Sequence, residues 1–423
     1  MLPTSTNVLL PQASRLRLAA LLLLGLAAAA PAVHAQTSQV TILASFTNAN
    51  GAQPYGNLTF SGNTLYGTTS QGGASSYGTV FSLPITGGTP TVLADFNYSN
   101  GANPVSDLIF SGGTLYGTTP YGGAGNNSAG TVFSVPAAGG ALTTLTSFDN
   151  AKGEGSAGGL TLSGSTLYGT GGRGAYGYGQ IFTLPTAGGK PTIIASFDGN
   201  KGKNPHGTLT LSGNTLYGVT SGGGGADDAG TVFSLPASGG TPTVLASFSS
   251  ATGQYPVGNL TLSGDRLYGT TYQGGGTNGF GTVFSVPVAG GAPTVLATFS
   301  GTDGSYLNAG LVLNGSTLYG TTLGGAGTLG TVFSVPTTGG TPTVLAQFDG
   351  LDGKYPHGGL TFVGDTLYGT TSLGGAHGFG TVFSLKPSGN APVPEASSLI
   401  SFGLLLLGGV GSLVLRARRR TAV

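Results

Sequence analysis

Short runs of Leu, Val, Ile, Phe, Tyr and Thr recur between glycine clusters from about residue 39 to residue 386. In the first complete unit they are Asn57–Phe60, Thr64–Thr69, Thr79–Leu83 and Thr91–Phe96, called strands A to D here. Their lengths and Thr/Val/Phe content suit β-strands, and their loose alternation means that both faces need cover. The A–B turns read Ser61-Gly62-Asn63, Ser163-Gly164-Ser165, Ser263-Gly264-Asp265 and Val363-Gly364-Asp365, a chemistry that fits tight hairpins. The C–D turns carry Gly-Gly pairs, from Gly87-Gly88 to Gly339-Gly340. Each unit is therefore expected to form one four-stranded antiparallel sheet.

The triplet Leu-Tyr-Gly returns with its tyrosine at Tyr66, Tyr116, Tyr168, Tyr217, Tyr268, Tyr319 and Tyr368, at steps of 50, 52, 49, 51, 51 and 49 residues. Seven units of this length predict an all-β fold, a seven-bladed β-propeller spanning residues 36–389. A parallel β-helix is the competing architecture, but its coils are much shorter and would not alternate hairpin turns in this way. The array opens on Gln39-Val-Thr-Ile-Leu-Ala-Ser-Phe46, a D strand with no A, B or C before it, and closes on Gly380–Leu385, a C strand with no D after it. The N-terminal strand is expected to complete the last blade and so remove the open edges of the array.

Composition narrows the chemistry. The chain has 82 glycines, no cysteine and only 6% charged residues, which excludes disulfide scaffolds, thiolate metal sites and a cysteine nucleophile. The net charge is +1, but six of the 14 basic residues lie near the termini, leaving the array with eight basic against twelve acidic residues, a net of −4. Nucleic-acid binding by a basic face is not expected.

The ends carry addresses. Arg15 and Arg17, an apolar run from Leu18 to Ala30 and small residues at Val33 and Ala35 predict a secretory signal over residues 1–35, cleaved after Ala35. Residues 390–396 read as a linker, 397–415 as a transmembrane helix and 416–423 as a basic cytoplasmic tail, which leaves the repeats outside the membrane. The tail, with Val393-Pro394-Glu395 before the apolar stretch and the arginine cluster, resembles the PEP-CTERM sorting signal of exported bacterial proteins, although Ala396 stands where the motif has a second proline. This resemblance implies an exosortase-type sorting protease as partner and release to the cell surface or extracellular matrix. A plain uncleaved anchor is the alternative.

With Leu-Tyr-Gly-Thr-Thr, a glycine loop and Gly-Thr-Val-Phe-Ser in succession, the array resembles the GloVer tandem repeat family, most weakly in unit three, where Gly171-Gly172-Arg173 and Gln180-Ile181 depart from the pattern. The resemblance implies a surface-exported, propeller-like domain and brings no catalytic residues.

Candidate ligand groups cluster in the D–A and B–C loops. The acidic residues Asp198, Asp303, Asp349 and Asp352 of the D–A loops, with Asp227 and Asp228 of a B–C loop, could bind Ca²⁺ through oxygen-rich turns, or simply form those turns. Asp149 and Glu154 belong to the same loop set. His206 and His357 hold equivalent Pro-His-Gly positions, and His357 with His377 of the last B–C loop could bind a metal or act as acid and base. The glycine loops lack the lysine and the following helix of a phosphate cradle. The weakly charged Thr, Ser and Asn surface is compatible with polysaccharide. The expectation is a non-catalytic binding or structural module at the cell surface, without a catalytic residue assigned and with no cofactor beyond a candidate Ca²⁺; the alternatives are a glycan-active hydrolase or lyase and a Ca²⁺-dependent adhesin.

Overall fold

A computed structural model describes residues 40–124, 129–149, 158–172, 175–276, 279–325, 327 and 329–387. These residues form seven antiparallel sheets, each ordered A-B-C-D from the inside outward, in a seven-bladed β-propeller. The last blade is closed as the sequence predicts: Thr41–Ser45 pairs antiparallel with Thr381–Leu385, Thr41 opposite Ser384 and Ser45 opposite Thr381.

The repeated sequence translates into repeated junctions between blades. The Phe that ends each D strand meets the Phe of the next blade's C strand edge to face. Phe46–Phe81, Phe96–Phe133, Phe148–Phe182 and Phe197–Phe233 have centroids 5.0, 5.0, 5.1 and 5.0 Å apart. Phe248–Phe284, Phe299–Phe333 and Phe348–Phe383 follow at 4.8, 4.9 and 5.1 Å. Such T-shaped pairs are worth about 0.5–1.5 kcal/mol each beyond their buried area, and here one occupies every junction of the ring.

Leu-Tyr-Gly serves this packing. The leucines, such as Leu65 and Leu267, are fully buried between blades, and Tyr66, Tyr268 and Tyr368 are buried with them. The glycine makes room: a Cβ on Gly269 would lie 2.6 Å from Cζ of Phe284 and 3.0 Å from Cδ2 of Leu260. The substitution Gly269→Ala is therefore expected to cost about 1–3 kcal/mol through overpacking, read as a lower denaturant midpoint at unchanged m-value.

The threonines after this glycine are structural as well. In unit one Thr69 Oγ1 and Thr79 Oγ1 share a 2.8 Å hydrogen bond, the Thr79 amide donates to Thr69 Oγ1, and Thr69 Oγ1 donates to the Gln71 carbonyl at 3.0 Å. Thr79 Oγ1 in turn reaches the carbonyl of Asn50, tying the D–A loop to the sheet. The same hydroxyl pair recurs in units two, four, five, six and seven. Unit three has Gly171 opposite Gln180 instead, the departure already visible in the sequence.

The D strands carry a bulge that links blades. The register between strands C and D skips one residue, Leu43 in the last blade and Leu93 in the first. Its carbonyl is freed from the ladder and accepts from the second glycine of the next Gly-Gly turn, Gly88 N to Leu43 O at 3.0 Å and Gly140 N to Leu93 O at 3.3 Å. Both turn glycines are left-handed, Gly87 at φ 88° and Gly88 at φ 134°, and a Cβ on Gly87 would strike Leu43.

Strand A is longer than the sequence suggests. In unit one it begins at Ala52–Pro54, pairs with the far end of strand B, kinks, and resumes at Thr59–Ser61. In unit four it is continuous from Lys203 to Ser212, with an irregular register between His206 and Thr210. The kink places the intervening residues around the axis of the propeller.

Candidate functional site: the central channel and the loop face

The antiparallel order puts the A–B and C–D turns at one end of the blades and the D–A and B–C loops at the other. The kinked segments before each strand-A leucine line the central channel near the loop end and enclose a cavity of about 330 Å³. All seven units contribute to its wall, among them Tyr55 and Asn57, Val105 and Asp107, Gly158, His206 and Thr208, Asn259, Asn308 and His357. The blades differ here, because this wall is built from non-identical residues at equivalent positions.

Two layers can be distinguished. In the layer directly before the leucine, side chains clip neighbouring blades together. Asn57 Oδ1 accepts from the Gly359 amide, Asp107 Oδ1 from the Asn57 amide at 2.7 Å, and Asn259 Oδ1 from the Thr208 amide at 2.6 Å. Asp107 also spans the channel: its Oδ2 accepts from Asn259 Nδ2 at 2.8 Å and lies 3.5 Å from Thr208 Oγ1. This carboxyl is half-buried, with part of it open to the cavity, and burial raises its pKa against the lowering effect of these three donors.

The layer two residues earlier forms the mouth. The His357 ring packs at 4.4 Å against Tyr55, and its Nδ1 lies 3.3 Å from Asn308 Nδ2. Burial pushes the His357 imidazole down from 6.5 to about 4 and that of His206 down as well, and it raises the Tyr55 phenol. Both imidazoles are thus neutral at pH 7 and can accept or donate one hydrogen bond at each nitrogen.

Among the sequence candidates, the equivalence of His206 and His357 holds, since both stand on the channel wall and not in outer loops. His357 and His377 are in different settings: His377 is exposed on the B–C loop of unit seven, while His357 is held between Tyr55 and Asn308. The loop carboxylates cap their own turns. Asp198 accepts from the Lys201 amide at 2.9 Å, Asp303 from the Ser300 amide at 2.8 Å, and Asp349 and Asp352 accept from each other's amides. Backbone donors lower the pKa of Asp349, and burial is the main cause raising that of Asp352. Asp228 pairs with Lys203 and accepts from the Gly223 amide at 2.7 Å; Asp227 is exposed beside it. Among the described residues no three His, Cys, Asp or Glu side chains converge as a metal site. Ala35, Glu154, Val393, Pro394 and Glu395 lie outside the described residues. So does the stretch 397–415, and no helix of the described residues is long and apolar enough to cross a membrane.

Sequence reasoning did not single out Asp107. Its signal was available: aligned on the strand-A leucine, the preceding position reads Asn57, Asp107, Gly159, Thr208, Asn259, Gly310 and Gly359, with an acid in one unit alone.

A second feature is the distribution of exposed rings. Tyr77, Tyr121, Tyr176, Tyr178 and Phe379 are exposed in B–C loops, Tyr98 and Tyr355 in D–A loops and Tyr255 at the start of strand A in unit five, Tyr121 and Tyr176 by 59% and 64%. All eight stand at the loop end. Among the described residues the A–B and C–D turns at the other end expose no large apolar side chain of this kind. The rings of Tyr77 and Tyr98 lie 5.4 Å apart, which makes a local two-ring patch between adjacent blades. Tyr255 and Tyr355 take left-handed φ of 56°, which lets their amides bond to the preceding blade's B–C loop at Ala229 and Leu329.

Fold and loop face together define a seven-bladed repeat propeller with a polar channel and an aromatic end. The chain matches the Gloeobacter/Verrucomicrobia repeat over residues 32–229 and 223–405, and it belongs to that family. No curated protein matches it. Solved structures similar to it include a chain of a nidogen/laminin complex, at 17% identity over 70% of this chain and 96% of that one with a TM-score of 0.44. The putative TolB from Agrobacterium tumefaciens matches at 15% identity over 66% and 88% with a TM-score of 0.39. A puromycin-hydrolyzing peptidase of Mycobacterium tuberculosis matches at 13% identity and a TM-score of 0.48, and the 82% of this chain that aligns spans 54% of that protein.

Proposed function

We propose that this protein is an exported binding module, held at the cell surface or in the extracellular matrix, whose loop face takes polysaccharide. The observation that carries the reading is the gathering of eight exposed aromatic rings at the loop end of the propeller. Apolar C–H faces of sugar rings pack on aromatic faces, while Tyr hydroxyls and loop amides meet sugar hydroxyls. Several weak stacking sites on one rigid ring would add through multivalency to useful avidity for a polymer. Export and anchoring rest on the leader-like start, the apolar stretch 397–415 and the Val393-Pro394-Glu395 motif, with an exosortase-type protease as the processing partner.

The test is retention of the protein on a panel of immobilised polysaccharides, with release of soluble sugar followed in the same samples. Saturable retention without release is expected. The double substitution Tyr77→Ala/Tyr98→Ala is expected to weaken it about tenfold, since one aromatic contact contributes on the order of 1 kcal/mol. Retention indifferent to those rings would remove the loop face from the reading, and sugar release would make the protein a glycan-active enzyme.

A further inference from the structure

Among the described residues Asp107 is the one carboxylate on the cavity wall, and neither lysine nor arginine lines it. Its two oxygens offer about four acceptor directions; Asn57, Asn259 and Thr208 occupy three of them. The remaining capacity opens into the cavity, where a negative charge without a countercharge is costly. The other described polar groups around the mouth are uncharged: two imidazoles, the Tyr55 phenol and the Asn308 amide. A cation entering here meets one acceptor charge and a rim of neutral hydrogen-bonding groups. A bare metal ion is poorly served, because no three ligating side chains converge among the described residues. A volume of about 330 Å³ stands at the lower end of the roughly 300–1,000 Å³ common for small-ligand pockets.

We propose that the channel cavity binds the ammonium-bearing sugar unit of a cationic glycan, Asp107 receiving the ammonium and the amide, phenol and imidazole groups of the mouth receiving the hydroxyls. This inference rests on the reading of the loop face as a glycan platform and adds the charge of the glycan. The array's eight basic and twelve acidic residues favour the same sign of ligand.

The experiment is calorimetric titration of the full chain with glucosamine, and with glucose as its neutral counterpart. Glucosamine is expected to bind about ten- to a hundredfold more tightly, the scale of one charge-assisted hydrogen bond. Asp107→Asn is expected to abolish that preference. Because Asp107 also clips two blades, a second variant guards the test: Val105→Trp fills the mouth from a side chain 38% exposed there, and is expected to remove glucosamine binding with the unfolding temperature unchanged. Equal affinity for glucose and glucosamine, a preference retained in Asp107→Asn, or unaltered binding in Val105→Trp would each overturn the proposal. A monosaccharide does not need the loop face, so Tyr77→Ala/Tyr98→Ala should bind glucosamine normally. Failure of polymer retention and failure of glucosamine binding therefore report separately on the two readings.

Discussion

Deleting residues 36–46 is expected to abolish cooperative unfolding at the native midpoint, and the single substitution Phe46→Ala to lower stability by about 3–5 kcal/mol. Phe46 is fully buried and lies against Phe81 in a cluster with Leu58, Leu65, Tyr368 and Val382, which joins the last blade to the first. Its amide donates to Gly380 O at 3.0 Å, and three residues upstream the strand supplies the Leu43 carbonyl that accepts from Gly88. The Gln53 amide also crosses that junction, to the Phe379 carbonyl at 2.9 Å. The junction includes the 2.5 Å bond from Thr361 Oγ1 to Leu58 O and the Gly359 amide on Asn57. Without the closing strand, Thr381–Leu385 would present an unpaired edge, a template for association with a second copy. The check is denaturant unfolding with light scattering. A truncation that unfolds like the parent and stays monodisperse would mean that the ring does not depend on its closing strand.

Closure was legible in the sequence because it needs only strand order: a lone D-like run before the first unit and a missing D after the last. Unit length, hairpin glycines and the Phe positions were legible because each blade repeats them for packing shared by all. The tyrosines of Leu-Tyr-Gly belong to that shared packing. The start of strand A was not legible, since segments such as Ala52-Gln53-Pro54 look like loop sequence and extend only by pairing with the end of strand B. The channel was hidden for a related reason. Asn57, Asp107, Thr208 and Asn259 are separated by 50 to 152 residues where they bond and meet only when the ring closes. The loop carboxylates drew attention as an oxygen-rich set, yet the oxygens of Asp198, Asp303, Asp349 and Asp352 are turned back on their own backbone amides.

Acidification should weaken the fold first through the channel histidines. Burial holds the His357 imidazole at about 4 against an ordinary 6.5, so the folded protein resists a proton that the unfolded chain accepts. Above pH 6.5 both states are neutral at this site and its contribution is full. As the pH falls below 6.5 the unfolded state gains the proton and stability drops, until the folded state also protonates near pH 4. At roughly 1.4 kcal/mol per pH unit the interval corresponds to about 3 kcal/mol, and water in the channel screens this to about 2 kcal/mol. His206 shifts in the same direction, but its ring is exposed on the wall. Asp107 works in the opposite sense: its pKa is raised, so protonation relieves a charge that burial disfavours, and stability is regained at the acid end of the range. Tyr55 titrates far above this window. The substitution His357→Gln removes the proton acceptor while keeping a polar side chain beside Asn308. Its stability is expected to be lower than the parent's at pH 7 and to approach it by pH 4.5, in chemical unfolding measured at both pH values. A constant difference across that range would place the His357 ring in water, and with it the mouth of the channel.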